Sequence, residues 1–294
     1  MTDPKMLEQI REGQGFIAAL DQSGGSTPGA LKGYGVAEDA YATDEEMFAA
    51  IHAMRTRIIT SPCFNGDKVI GAILFEKTMD GDADGEPVPQ ALWARGVVPF
   101  LKVDKGLEDE ADGVKLMKPM PELDALCDRA VKKGIFGTKM RSVIERASPT
   151  GIAAIVRQQF EVAAQIAGHG LMPIIEPEVS IKSPDRAACD VILRDEILKA
   201  LDAMQDGQLM LKLTLPAEAN LFAPLVDHPR VLRVVALSGG FSRDEACHQL
   251  AQNRGVIASF SRALLSDLRH QMSDKEFDGA LGTAINDIHR ASVA

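Results

Sequence analysis

Eight short apolar runs, separated by longer amphipathic stretches, constrain the fold of this chain more than any other feature. They are Phe16–Asp21, Gly71–Glu76, Val97–Lys102, Ile135–Lys139, Leu171–Glu176, Leu209–Leu213, Val231–Ser238 and Val256–Phe260. Runs this short with no polar alternation read as strands buried on both faces, the pattern of a parallel sheet covered by helices. A further apolar piece, Ile58–Phe64, is either a helix end or an extra extended segment.

The stretches between the runs carry helix punctuation. Thr43 with Glu46 and Ser242 with Glu245 have capping-box spacing. Ser148-Pro149 and Ser183-Pro184 place a capping hydroxyl before a proline at the first helical position. The stretch Pro121–Lys133 is expected to end at Gly134, and Pro149–Ala167 at Gly168, each with a left-handed cap. Eight alternations of strand and helix predict an α/β protein, a single-domain (β/α)8 TIM barrel over residues 1–294 with a C-terminal helical tail at about 274–294. A doubly wound sheet is the alternative, but no G-x-G-x-x-G follows the first run.

A lysine interrupts the sixth run, Leu209-Met210-Leu211-Lys212-Leu213. An ammonium there loses its hydration, and a desolvated lysine near a second cation readily gives up its proton to become a nucleophile for carbonyl carbon. Lys212 could instead pack its stem and snorkel its head to the rim. Lys139 and Lys102 also close apolar runs, and three such lysines suggest a cationic pocket for carbonyl and phosphate chemistry. Reading the carboxyl ends of the strands in order gives Asp21, Glu76, Lys102, Lys139, Glu176, Lys212, Ser238 and Ser261-Arg262, where barrels of this class place their reactive groups.

Asp21 and Glu176 are candidate proton carriers beside those lysines, or else capping or ion-pairing carboxylates. Lys139 could also be their structural partner. Glu178 belongs to the same polar shell or to a loop ion pair, and Glu76 reads as structural. Ser238-Gly239-Gly240 follows the seventh strand and precedes a helix start, a place where backbone amides can meet an anion, with Arg262 closing the eighth strand. Ser23-Gly24-Gly25-Ser26 is a similar loop, able to hold a second anion or simply to turn.

Composition excludes several classes. A net charge of −10 argues against a nucleic-acid partner, which requires a basic face. No apolar run is long enough to span a bilayer, and Met1–Gly15 is polar without signal-peptide character, so neither a membrane partner nor secretion is expected and the expected address is cytoplasmic. Cys63, Cys127, Cys189 and Cys247 form no C-x-x-C pair and read as reduced thiols. Asp80–Gly85 imitates the start of a calcium loop, but its twelfth position is Ala91, and Pro87 and Pro89 intrude. The histidines show no metal-ligand spacing. No metal and no cofactor is expected.

The strand-end segments resemble those of class I fructose-bisphosphate aldolases, the Schiff-base type, in their shorter bacterial branch. The matching pieces are Ala19–Ser26, Leu101–Gly106, Thr138–Arg141, Pro173–Glu178, Leu211-Lys212, Leu237–Gly240 and Ser259–Leu264, and the likeness runs from about residue 14 to about 270. The resemblance implies that Lys212 forms the imine, that Lys139 supports its deprotonation, and that Glu176 is acid and base in imine formation and hydrolysis. Asp21 would take the hydroxyl proton as the carbon–carbon bond breaks. Ser238, Gly239, Gly240 and Arg262 would hold the phosphate near the imine, while Ser23, Ser26, Lys102 and Arg141 face the distal one.

The chain departs from the animal pattern at three places. Gln22 replaces an acidic residue, two residues are missing between Ser261 and Arg262, and no C-terminal tyrosine follows. Tyr34 and Tyr41 are the tyrosines of this chain, and His289 reads as a surface histidine or as a stand-in for the missing one. The expected partner is a small phosphosugar, with homo-oligomerisation left open. Rival readings are a Schiff-base aldolase for a monophosphate or another chain length, and a catalytically silent barrel.

Overall fold

The computed structural model describes residues 3–294. Among them, eight parallel strands form the barrel wall: β1 (Phe16–Leu20), β2 (Val69–Leu74), β3 (Val98–Lys102), β4 (Gly137–Ile144), β5 (Met172–Val179), β6 (Leu209–Thr214), β7 (Val231–Leu237) and β8 (Val256–Ala258). They neighbour one another in chain order, so each apolar run became one stave. Every residue of β1, β2 and β6 is buried, as expected for strands with helices outside and side chains inside. The ring is nearly closed. Among the described residues no ladder joins β8 to β1, and the Ala19 amide reaches the Phe260 carbonyl at 3.1 Å.

The barrel interior is filled in two levels. Its amino-terminal level is an apolar plug of Ile17, Ile73, Val98, Phe100, Phe136, Ile174, Met210, Val235 and Ile257, capped by Met6 and Ile10 of the helix Pro4–Glu12. Side chains two residues apart share a face of a strand. The next inward positions after Ile17-Ala19, Phe100, Ile174, Met210 and Ile257 are therefore Asp21, Lys102, Glu176, Lys212 and Ser259. Polar groups at the carboxyl end of the barrel thus stand on an apolar floor. Gly137, the inward position below Lys139, has no room for a side chain. A Cβ there would lie 2.2 Å from the Met172 carbonyl oxygen and 2.9 Å from the Phe100 ring.

Several local expectations shift. Ile58–Phe64 begins as the last turn of the helix Asp44–Thr60, whose capping box at Thr43 and Glu46 forms. Ser148 and Ser242 cap their helices. Ser183-Pro184 does not start a helix: the Ser183 hydroxyl accepts the Asp185 amide within a turn, and the helix runs Arg186–Ala203. The helix expected from Pro121 begins at Leu123. The left-handed glycine after Pro149–Gly168 is Gly170, not Gly168, because the helix continues one residue further and turns through His169. Asp82–Ala83 and Glu86–Pro87 make a small hairpin, and Asp80 is held by Arg129 and Lys133. The C-terminal helix, Asp274–Ser292, packs Phe277, Leu281, Ile285 and Ile288 inward. Among the described residues no helix is long and apolar enough to cross a membrane.

Candidate active site

The β5–β6 ladder covers Ile174 with Met210 and Ile175 with Leu211 and stops there. Glu176 and Lys212 follow the last of these pairs, and both line a cavity of about 1270 Å³. Glu176 offers its two oxygens to two lysines: Oε1 is 3.1 Å from Lys212 Nζ and Oε2 is 2.8 Å from Lys139 Nζ. Lys139 Nζ lies a further 2.6 Å from Asp21 Oδ2. All four side chains are almost wholly buried.

This is an alternating-charge chain in which Lys139 is clasped by two carboxylates. Burial alone would raise Asp21, but the Lys139 and Lys212 ammonium groups outweigh it and hold Asp21 well below the usual carboxylate range. Glu176 is pulled down by the same two lysines against the same burial. Burial opposes the charge on Lys139, yet Asp21, Glu176 and Asp104 together drive its pKa upward. Lys139 is therefore the fixed cation of the cluster. Among the described residues, Glu176 is the one carboxylate within ion-pair distance of Lys212.

The remaining candidates form the cavity's wall and rim. Ser23, Ser26, Lys102, Arg141, Ser238, Gly239 and Arg262 line it together with the four core residues, whereas Gly240 does not. Gly240 lies under the Arg262 guanidinium, where a Cβ would come 3.3 Å from Nη2. Gly239 has a left-handed backbone, φ +59°, and a Cβ there would meet Ile181 at 2.6 Å. Among the described residues Arg262 has no carboxylate partner, while Lys102 pairs with Asp104 at 2.8 Å and Arg141 with Glu178. Glu178 lies on β5 rather than in a loop, lines the cavity with the polar shell and pairs with Arg141 of β4. Glu76 pairs with Lys105 at 2.7 Å and with Arg129, a structural role at the cavity's edge.

Some residues that shape the site had no obvious mark in the sequence. Gln159, from the helix Pro149–Gly168, is fully buried; its amide oxygen accepts the Glu176 backbone amide at 2.8 Å and its nitrogen donates to Ser142 at 2.9 Å. Asp104 and Ser259 are buried cavity-lining groups. Arg55 lies beneath Gln22 in the protein interior. Tyr34 lines the cavity, with its hydroxyl accepting from Arg57 at 3.3 Å. His289 contacts the Gln14 carbonyl at 3.2 Å, just before the amino end of β1 and therefore opposite the site.

An eight-stranded barrel with its ionisable groups gathered at the carboxyl ends of the strands has the organisation of a TIM-barrel enzyme. A family model, fructose-bisphosphate aldolase class-I, matches residues 7–230. The chain belongs to that family, whose members are lyases. Among solved structures it is similar to the fructose-bisphosphate aldolase of Plasmodium falciparum, in a complex with TRAP and a small-molecule inhibitor. That match has a TM-score of 0.81 and 22% identity, covering 98% of this chain and 93% of that one. More distant are a sugar phosphate isomerase/epimerase from Parabacteroides distasonis, with a TM-score of 0.43, 10% identity and 93% and 96% coverage, and a mutant flavocytochrome b2 with benzoylformate, with 0.45, 10%, and 81% and 58%.

Proposed function

We propose that this protein catalyses the reversible cleavage of fructose 1,6-bisphosphate to dihydroxyacetone phosphate and glyceraldehyde 3-phosphate through a Schiff base at Lys212. The supporting observation is the sharing of Glu176 between Lys212 and Lys139 at the floor of a deep cavity. An amine must shed its proton before it can attack a ketone, and Glu176 Oε1 is placed to accept it. The same carboxyl then returns the proton to the carbinolamine hydroxyl, which leaves as water. The resulting iminium is an electron sink. As the bond between the third and fourth carbons breaks, its electron pair moves into an enamine, and Asp21 takes the proton of the fourth-carbon hydroxyl. Lys139 orients both carboxylates and favours their ionised forms before each accepts its proton. Ser238, Gly239 and Arg262 hold the phosphate near the imine, with Gly240 supporting Arg262. Ser23, Ser26, Lys102 and Arg141 face the other phosphate.

This reading makes the enzyme metal-independent, glycolytic or gluconeogenic in role, and cytoplasmic. The test is borohydride reduction with dihydroxyacetone phosphate and a chelator present. The expected product is an adduct on the peptide holding Lys212, and an unmodified Lys212 with turnover intact rejects the mechanism. A monophosphate ketose is the second reading, favoured by one observation: Lys102 and Arg141 already hold carboxylates. Comparing kcat/KM for bisphosphate and 1-phosphate ketoses separates the two.

A further inference from the structure

We propose that Gln22 and Arg55 form a polar strut across the open seam of the barrel and act as positioning residues, keeping Asp21 and Arg262 in register. This inference rests on the aldolase reading of the site. Neighbouring strands share ladders from β1 through β8, but none joins β8 back to β1 among the described residues. Asp21 follows β1 and Arg262 follows β8, so two residues assigned to one substrate stand on opposite sides of the weakest joint in the wall.

Side chains add to the backbone hydrogen bond from Ala19 to Phe260 that crosses this seam. The Gln22 amide nitrogen donates to the Ser261 hydroxyl and, at 3.3 Å, to the Ala19 carbonyl. Ser261 opens the short helix Arg262–Leu265, its carbonyl accepting the Leu264 amide at 3.0 Å. Arg55 Nη2 donates to the Gln22 carbonyl and, at 3.3 Å, to its side-chain oxygen. Arg55 Nη1 donates to Thr78 Oγ1 at 2.7 Å, in the helix after β2. The line Thr78–Arg55–Gln22–Ser261 therefore spans the carboxyl ends of β2, β1 and β8.

Arg55 is 1% exposed, and its Nε has no partner. A guanidinium so completely removed from water is costly as mere packing. It remains charged at neutral pH, because burial pulls it down only to about 10 against the opposing effect of Asp21. The amide of Gln22 suits the middle of the strut, since one end accepts from Arg55 while the other donates across the seam.

The variants are Gln22→Met, close in shape but without hydrogen bonds, Arg55→Lys and the pair, assayed well below their melting temperatures. Borohydride trapping at Lys212 with saturating dihydroxyacetone phosphate is expected at wild-type yield, with half-saturation shifted upward. Turnover of fructose 1,6-bisphosphate is expected to fall by about tenfold to a hundredfold, the cost of misplacing reacting groups by about an ångström. The double variant should be little worse than the poorer single one, because both cut the same line. Variants that lose thermal stability but keep kcat and KM within about twofold of wild type would make the strut structural only. If wild type is not trapped at Lys212, the aldolase reading fails rather than the strut. The crystal structure of Gln22→Met then decides: loops 21–23 and 261–262 superposing on the parent overturn the proposal, and their separation supports it. The same measurement serves if Arg55→Lys does not fold.

Discussion

Lys212 and Glu176 stand 3.1 Å apart, Nζ to Oε1, on adjacent strands that have just stopped pairing. That separation suits proton exchange in both directions. Glu176→Gln keeps the shape and removes the proton acceptor. We expect kcat to fall by roughly 10²–10⁴-fold, the usual contribution of a general acid–base. Rapid-quench borohydride trapping should show slow formation of the Lys212 adduct with unchanged final yield. Trapping at the wild-type rate would move the proton-transfer role to another group.

Lys139 is the sole lysine in contact with both Asp21 and Glu176 among the described residues. Lys139→Met leaves buried Asp21 without its ion-pair partner and Glu176 with Lys212 alone, a kind of change that costs about 3–5 kcal/mol. The sign of the pH dependence follows from the shifts. Asp21 and Glu176 are depressed in the fold, from 3.8 and 4.5, so their contribution is present above those values and is lost as pH falls through the lower folded ones. Lys139 is raised from 10.5, so its contribution holds below that value and disappears at more alkaline pH. Calorimetric melting of wild type and variant should therefore differ most across the neutral plateau and converge in strong acid. A gap that stays constant into strong acid would contradict the ion-pair account.

The barrel was legible because strands buried on both faces leave uninterrupted apolar runs, and the four floor residues stood out as charges within or at the ends of such runs, although a snorkelling lysine or a capping carboxylate leaves the same mark. Boundaries were less legible. Gly168 and Gly170 are equally good caps in sequence, and only the length of the packed helix selects the second. Arg55 was hidden because an arginine between Met54 and Thr56 on a mixed helix reads as solvent-facing, and its burial depends on where the loop carrying Gln22 lands. Gln159 was hidden likewise: nothing local shows that its helix delivers it to the Glu176 amide. Partners far apart in the chain leave no periodic trace.

His169 should titrate above its ordinary value of 6.5. Both ring nitrogens lie 2.9 Å from carboxylates, Asp124 at Nε2 and Asp128 at Nδ1, and those two hydrogen bonds raise it. Only the protonated ring can donate to both. Its stabilising effect is therefore present below 6.5 and fades as pH rises through the folded value. NMR titration of the His169 ring should give a raised midpoint in wild type and a lower one in Asp124→Asn. Identical midpoints would show that water, not Asp124, faces that nitrogen.

Asp190 is wholly buried on the helix Arg186–Ala203, with Oδ2 accepting the Ala217 amide at 2.8 Å and Oδ1 without a partner. Burial pushes its pKa from 3.8 up to about 6, with the Ala217 amide and Arg186 pulling the other way. Here the sign is opposite to that of Asp21: the folded protein prefers the protonated acid, so stability declines as pH rises between 3.8 and about 6 and stays lower beyond. Asp190→Asn keeps an acceptor for Ala217 and removes the charge. Its melting temperature should exceed that of wild type at neutral pH, and the advantage should shrink as the buffer approaches about pH 4, near the unfolded value. The Arg186 guanidinium holds the Leu215 carbonyl of the same loop, just after the strand bearing Lys212. A variant that melts below wild type at neutral pH would mean that attraction between Asp190 and Arg186 outweighs the burial penalty.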